Sequence, residues 1–85
     1  MFGKSKAPAV LTKVNRQASI SIAGEFATIP CRVRRLSDDE AVVALERRRP
    51  LPPSFRLTVD REPRPRLCRL KSLDGLDARV SFVRG

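Results

Sequence analysis

Histidine, tryptophan and tyrosine are absent from the 85-residue chain. Without histidine there is neither the commonest general acid–base group near neutral pH nor the commonest metal ligand. The only aromatics are Phe2, Phe26, Phe55 and Phe82, too few for the stacking platform that single-stranded nucleic acid favours. The two cysteines, Cys31 and Cys68, form no CxxC and have no histidine to complete a zinc site. They could join in one disulfide, but each sits inside an apolar strand pattern, and the simpler expectation is two buried thiols acting as small apolar residues. No apolar run approaches the roughly 18 residues of a membrane span. The short run Ala7 to Leu11 is broken too soon for a secretory leader, so no span and a cytoplasmic setting are expected. Lysine is scarce too: Lys4, Lys6, Lys13 and Lys71 are all there is, so the formal net charge of +9 comes mostly from arginine. Arginine's planar fork suits phosphate and carboxylate alike. The charge predicts an anionic partner without naming it.

What is present is alternation. Ala18, Ile20 and Ile22 share one face against Ser19 and Ser21, and Ala23-Gly24-Glu25 closes the segment as a turn. Phe26 to Val33 reads as the partner strand, with Ile29, Cys31 and Val33 on one side and Arg32 on the other. Pro30 cannot donate to a ladder, so it belongs at a bulge or on an unpaired side. The phase then slips, because Arg35 takes the inward parity and Leu36 the apolar role. A bulge near Arg34-Arg35 explains that slip. Ser37 with Glu40 could form a capping box for a short helix over Ala41–Leu45. The brevity of that run and its paired valines favour a strand instead.

Pro50-Leu51-Pro52-Pro53 forces an extended link. Phe55, Leu57 and Val59 alternate with Arg56 and Thr58. Residues 60–66 read as a charged hairpin tip, Leu67–Leu70 as a strand, Asp74-Gly75 as a tight turn, and Leu76, Ala78, Val80 and Phe82 as one face of the last strand. Six strands at roughly ten-residue spacing predict one all-β domain, a small six-stranded antiparallel barrel over residues 16–85. Residues 1–15 are weakly patterned and are expected to be an arm or an extra edge strand.

Chemistry-bearing clusters are few. Arg47-Arg48-Arg49 is the densest basic run, and Arg61, Arg64 and Arg66 form a second one. Either could hold an anionic partner or simply solvate a loop. Asp38-Asp39-Glu40 has no companion ligands and reads as a polar turn rather than a metal site. The serines lack a histidine base. No metal, no cofactor and no catalysis are expected.

In the order and spacing of several phrases the chain resembles the PilZ domain, particularly its short single-domain bacterial forms. These are Pro30-Cys31-Arg32-Val33-Arg34-Arg35-Leu36-Ser37 leading into Ala41–Leu45, then Leu51-Pro52-Pro53-Ser54-Phe55-Arg56-Leu57, Arg66–Leu70 and Ala78–Phe82. The similarity spans roughly residues 16–83. It implies a six-stranded barrel and cyclic di-GMP as a candidate ligand, held by an RxxxR pair and a D/N-x-S-x-x-G turn. The sequence departs from both motifs. Ala7 and Leu11 stand where the arginine pair would fall, Arg35 replaces the acid or amide, and Glu40 replaces the glycine, while Ser37 is kept. Each lost charge-assisted contact removes on the order of 1–3 kcal/mol of binding.

Three expectations follow. The first is a non-enzymatic, PilZ-like regulatory module acting by protein contact, with Arg34, Arg47, Arg48 and Arg49 on its partner surface. The second is a cyclic di-GMP receptor of altered geometry using Lys13, Arg16, Arg35 and Ser37. The third is a small barrel that binds nucleic acid electrostatically, with the steep salt dependence of such binding.

Overall fold

A computed structural model describes residues 11–83. Six strands follow in order: β1 (Thr12–Ser21), β2 (Ile29–Leu36), β3 (Glu40–Leu45), β4 (Ser54–Val59), β5 (Arg66–Asp74) and β6 (Asp77–Phe82). They close into a barrel in the order β1-β2-β3-β6-β5-β4, with β4 returning to β1. Every pairing is antiparallel. Closure leaves no free strand edge among the described residues, which removes the usual template for edge-to-edge association.

The two-residue period sorts side chains to the inside and outside of the wall. β4 is the cleanest case: Phe55, Leu57 and Val59 are buried, and Ser54, Arg56 and Thr58 are exposed. β3 buries Ala41, Val43 and Leu45, confirming the strand reading of that apolar run. From the other strands come Ile20, Cys31, Val33, Cys68, Ala78 and Val80, so all six strands contribute to one interior. No polar or charged residue is buried among them. Such a core draws its stability from apolar burial alone, at roughly 1.5–3 kcal/mol for each fully covered Leu, Ile or Val.

The bulge expected at Arg34-Arg35 is present. Against β3, the register runs from Val33↔Val43 to Arg35↔Val42, with Arg34 as the extra residue. That insertion lets Val33 and Leu36 both face inward while Arg34 and Arg35 are exposed. β1 carries a matching irregularity between Lys13 and Arg16. Pro30 lies one residue beyond the last β2–β3 partners, Cys31↔Leu45, so one flank has no ladder needing its missing N–H.

Four boundaries differ from the sequence reading. β5 runs from Arg66 to Asp74, past the Leu70 at which the apolar pattern stops. β1 starts at Thr12, so residues 12–15 belong to the barrel wall and not to an arm; the remaining question of an N-terminal edge strand falls on residues 1–10, outside the described residues. β2 starts at Ile29 rather than Phe26, because the turn at Gly24 (φ 87°) is followed by a loop before pairing begins. Leu76 belongs to the Gly75 turn (φ 64°) and is exposed, so the last inward face begins at Ala78. No helix among the described residues is long and apolar enough to cross a membrane.

Cys31 and Cys68 are both free and buried. Burial pushes the Cys31 thiol up to about 12, with the Cys68 and Glu46 charges adding to the effect, and pushes Cys68 up to about 11. A thiol raised in the folded state binds its proton more tightly there than in the unfolded chain. Its contribution to stability is therefore whole below the unfolded value near 9 and is lost as pH rises through 11–12. Neither thiol should react measurably with iodoacetamide at pH 8 in the native protein, while both should react at once in denaturant; mass spectrometry of the alkylated chain checks this.

Candidate functional site

The outward rows of the barrel place several sequence-selected cations side by side. Lys13 of β1 is the direct cross-strand partner of Arg35 of β2. Arg35 pairs on its other side with Val42 of β3, Val42 with Arg79 of β6, and Arg79 with Ser72 of β5. One row across the wall thus reads Lys13, Arg35, Val42, Arg79, Ser72. All are exposed except Val42, which is half-buried between the two arginine positions. Arginine stems cover apolar surface while their heads stay in water. Neither Lys13 nor Arg35 makes a hydrogen bond or ion pair with any described residue. Like charges directly opposite on a sheet oppose folding, so this arrangement has no structural benefit of its own.

Arg32 lies further along β2, opposite Gln17, and donates from Nη1 to Asn15 Oδ1 at 2.8 Å. A neutral amide orients the guanidinium without cancelling its charge. Arg34, on the bulge, is exposed and makes no such bond. The outer side of β2 therefore presents Arg32, Arg34 and Arg35 in succession, with Lys13 beside the last.

The other two residues of the nucleotide set are placed differently. Arg16 lies beyond the β1 irregularity, opposite Val33, and is exposed with no hydrogen bond or ion pair among the described residues. Ser37 turns the chain between β2 and β3. Its hydroxyl accepts from the Glu40 and Asp39 amides at 3.0 and 3.2 Å, and its own N–H donates to the Glu40 carbonyl at 2.9 Å. The capping hydrogen bond suggested by Ser37 and Glu40 is thus real, but it closes a hairpin instead of starting a helix. The hollow at Ser37 is also lined by Asp38 and Asp39, whereas Arg35 lines a separate one with Arg79, Asp74 and Asp77. Of the four residues, then, only Lys13 and Arg35 are brought together.

Glu40, which stands at the glycine position of the resembled motif, accepts from Lys71 Nζ at 2.7 Å. That hydrogen bond, with the Lys71 and Arg79 charges, holds its carboxyl below the usual range. It stays ionised in neutral solution, with its charge matched by Lys71.

The arginine run before Pro50 is divided in its commitments. Arg49 pairs with Glu25 at 3.7 Å and donates to the Pro50 carbonyl at 3.4 Å. Arg48 reaches the β5–β6 turn, 4.0 Å from where a Cβ on Gly75 would lie. Arg47 is exposed and has no ion pair among the described residues. In the second cluster Arg66 forms a two-pronged pair with Glu62 at 3.0 and 3.2 Å and lies 4.6 Å over the Phe82 ring. Arg66 is thereby committed to the fold, and this cluster does not act as three free cations.

Sequence reasoning missed Arg79 and Val42. Arg79 is an ordinary outward residue of the last strand, and only the non-sequential β3–β6 pairing brings it level with Arg35. Among the described residues no group of three or more acidic or thiol side chains is placed to hold a metal ion. No family model matches the chain. No curated protein matches it either.

Proposed function

We propose that the chain is a non-enzymatic regulatory or adaptor domain of the PilZ type, from bacterial cyclic di-GMP signalling in the cytoplasm. It acts by protein contact through the cationic outer side of β2, with weak or no nucleotide binding. The observation that carries this reading is the Lys13↔Arg35 pairing, two cations set opposite each other with no carboxylate between them. Mixed charge around it favours protein over phosphate: Asp74 and Asp77 share the hollow of Arg35 and Arg79. A protein surface can match both signs, whereas a phosphodiester meets repulsion from each aspartate.

The same register supports a second reading, in which cyclic di-GMP binds through Lys13 and Arg35. Against it stand the hydroxyl of Ser37, already used twice by its own turn, and Glu40, a side chain tied to Lys71 where the resembled motif has glycine. Isothermal titration separates the two. Cyclic di-GMP should give no saturable heat up to hundreds of micromolar, a Kd weaker than about 10⁻⁴ M. Saturable binding at low micromolar ligand, abolished by Arg35→Ala, would replace the adaptor reading with the receptor one.

A further inference from the structure

Phe26 is the one large apolar side chain among the described residues that stands wholly in solvent, at 106% of its reference exposure; the next, Leu67 and Leu76, reach 45% and 42%. Its loop is anchored at several points. Glu25 N donates to the Ile22 carbonyl at 3.0 Å, Gly24 takes a left-handed turn, and Glu25 pairs with Arg49. Phe26 is presented by an anchored turn, and the interior is filled without it.

Next to this loop is a hollow of about 360 Å³ lined by Thr28, Ile29, Pro30, Glu46, Arg47 and Arg49. It adjoins a second hollow, of about 400 Å³, that includes Arg32 and Arg34; the two share Pro30 and Glu46. The short side chains of Pro30 and Ala44 line the second hollow beside the longer Arg32 and Arg34. Together they form a groove along the outside of β2, running from the Phe26 loop toward the Arg34 bulge.

We propose that this groove docks an extended acidic segment of a partner protein. An apolar residue of the segment packs on the Phe26 ring and in the hollow beside it, and its carboxylates meet Arg47, Arg32 and Arg34. The assignment rests on the adaptor reading and gives it a location and a partner chemistry. Aromatic and arginine side chains are the residues that most often dominate protein interfaces. The closed barrel offers no free edge, so the segment is held by side chains and not by strand addition. Phe26 is the one wholly exposed aromatic among the described residues. Without a row of rings for successive bases to stack on, single-stranded nucleic acid is disfavoured. A second copy of the chain, with its own charge of +9, is disfavoured by repulsion.

The test uses the full chain and a fluorescein-labelled peptide in which Asp and Glu alternate with Leu, read by anisotropy. A control peptide carries Ser for Leu, and a single-stranded oligouridine is the nucleic-acid probe. The acidic–apolar peptide should bind saturably. Phe26→Ala, or loss of the peptide's leucines, should each weaken it about tenfold or more, with an unchanged melting curve for the variant. No binding by the unaltered chain, equal binding by Phe26→Ala, or tighter binding of oligouridine would overturn the assignment. Peptide binding that is lost in Lys13→Glu but indifferent to Phe26→Ala would overturn the groove and leave the adaptor reading standing. Tight cyclic di-GMP binding with no peptide binding would remove both.

Discussion

Leu57→Ala should lower stability by about 2–5 kcal/mol, the range for truncating a leucine in a core that cannot collapse around the cavity. Leu57 is fully buried, and its β1 partner Ile20 is fully buried as well. β4 also closes the barrel by pairing with both β1 and β5. A cavity there loosens the seam on which closure depends. Domains of this size have total stabilities near the low end of about 5–15 kcal/mol. The variant should therefore melt roughly 10–30 °C lower, or fail to fold at 37 °C. Leu67→Ala on the adjoining strand supplies the contrast. Leu67 is 45% exposed and precedes the buried Cys68, so its truncation should change stability by no more than about 0.5 kcal/mol. Thermal melts followed by circular dichroism measure both. Equal losses in the two variants would contradict the assignment of inward and outward faces.

Lys13→Glu should separate binding from stability in opposite directions. In the unaltered chain two cations face each other across β1 and β2. A glutamate at 13 turns that repulsion into an opposite-charge pair, which is worth about 0.2–1 kcal/mol on a sheet surface. The variant should melt slightly higher. At the same time it removes one cation and neutralises Arg35, so binding of an acidic protein segment or peptide should fall about tenfold or more at low salt. The difference should shrink as salt is raised, because these charges are exposed and screened within about 10 Å at 0.1 M. A structural role for Lys13 would give the reverse, lower stability with unchanged binding. Substitutions that raise stability and lower function mark residues kept for binding.

Much of this architecture could be read from residue order, and the parts that could not have definite physical causes. Phe55, Leu57 and Val59 declare their strand because one face is buried and the other wet, so a one-residue slip would expose the whole set. The bulge at Arg34 was legible because an inserted residue shifts the phase of every apolar residue after it. Phe26 and Leu76 were misplaced for one shared reason. Each follows a glycine turn, and a sequence pattern cannot show how many residues the turn consumes before pairing begins. Leu76 shares the parity of Ala78, Val80 and Phe82, whereas Phe26 does not share that of Ile29, Cys31 and Val33. Both side chains are exposed, and for Leu76 this overturns the inward place that its parity gave it.

The candidate site was half legible. Lys13, Arg16, Arg35 and Ser37 were selected by residue type and by position in a resembled motif. The β1 irregularity puts Lys13 opposite Arg35 and sets Arg16 against Val33 instead. A shift of this kind depends on how two strands accommodate facing bulges, which no local pattern encodes. Ser37 was the right residue for a turn, but hydrogen bonds to Asp39 and Glu40 satisfy its hydroxyl. Arg79 was invisible because its neighbours on the wall are set by the β3–β6 and β5–β6 pairings, at the far end of the chain.

The outer side of β2 as the binding surface is tested most directly by amide chemical-shift mapping of the isotopically labelled chain. The titrants are the acidic–apolar peptide and, separately, cyclic di-GMP. With the peptide, the shifts should concentrate at Phe26, Ile29, Arg32, Arg34, Arg35 and Lys13, and the amides of Arg56 and Arg69 on β4 and β5 should stay still. Shifts centred on β4 and β5, or a response of the Lys13–Arg35 row to cyclic di-GMP alone, would contradict it.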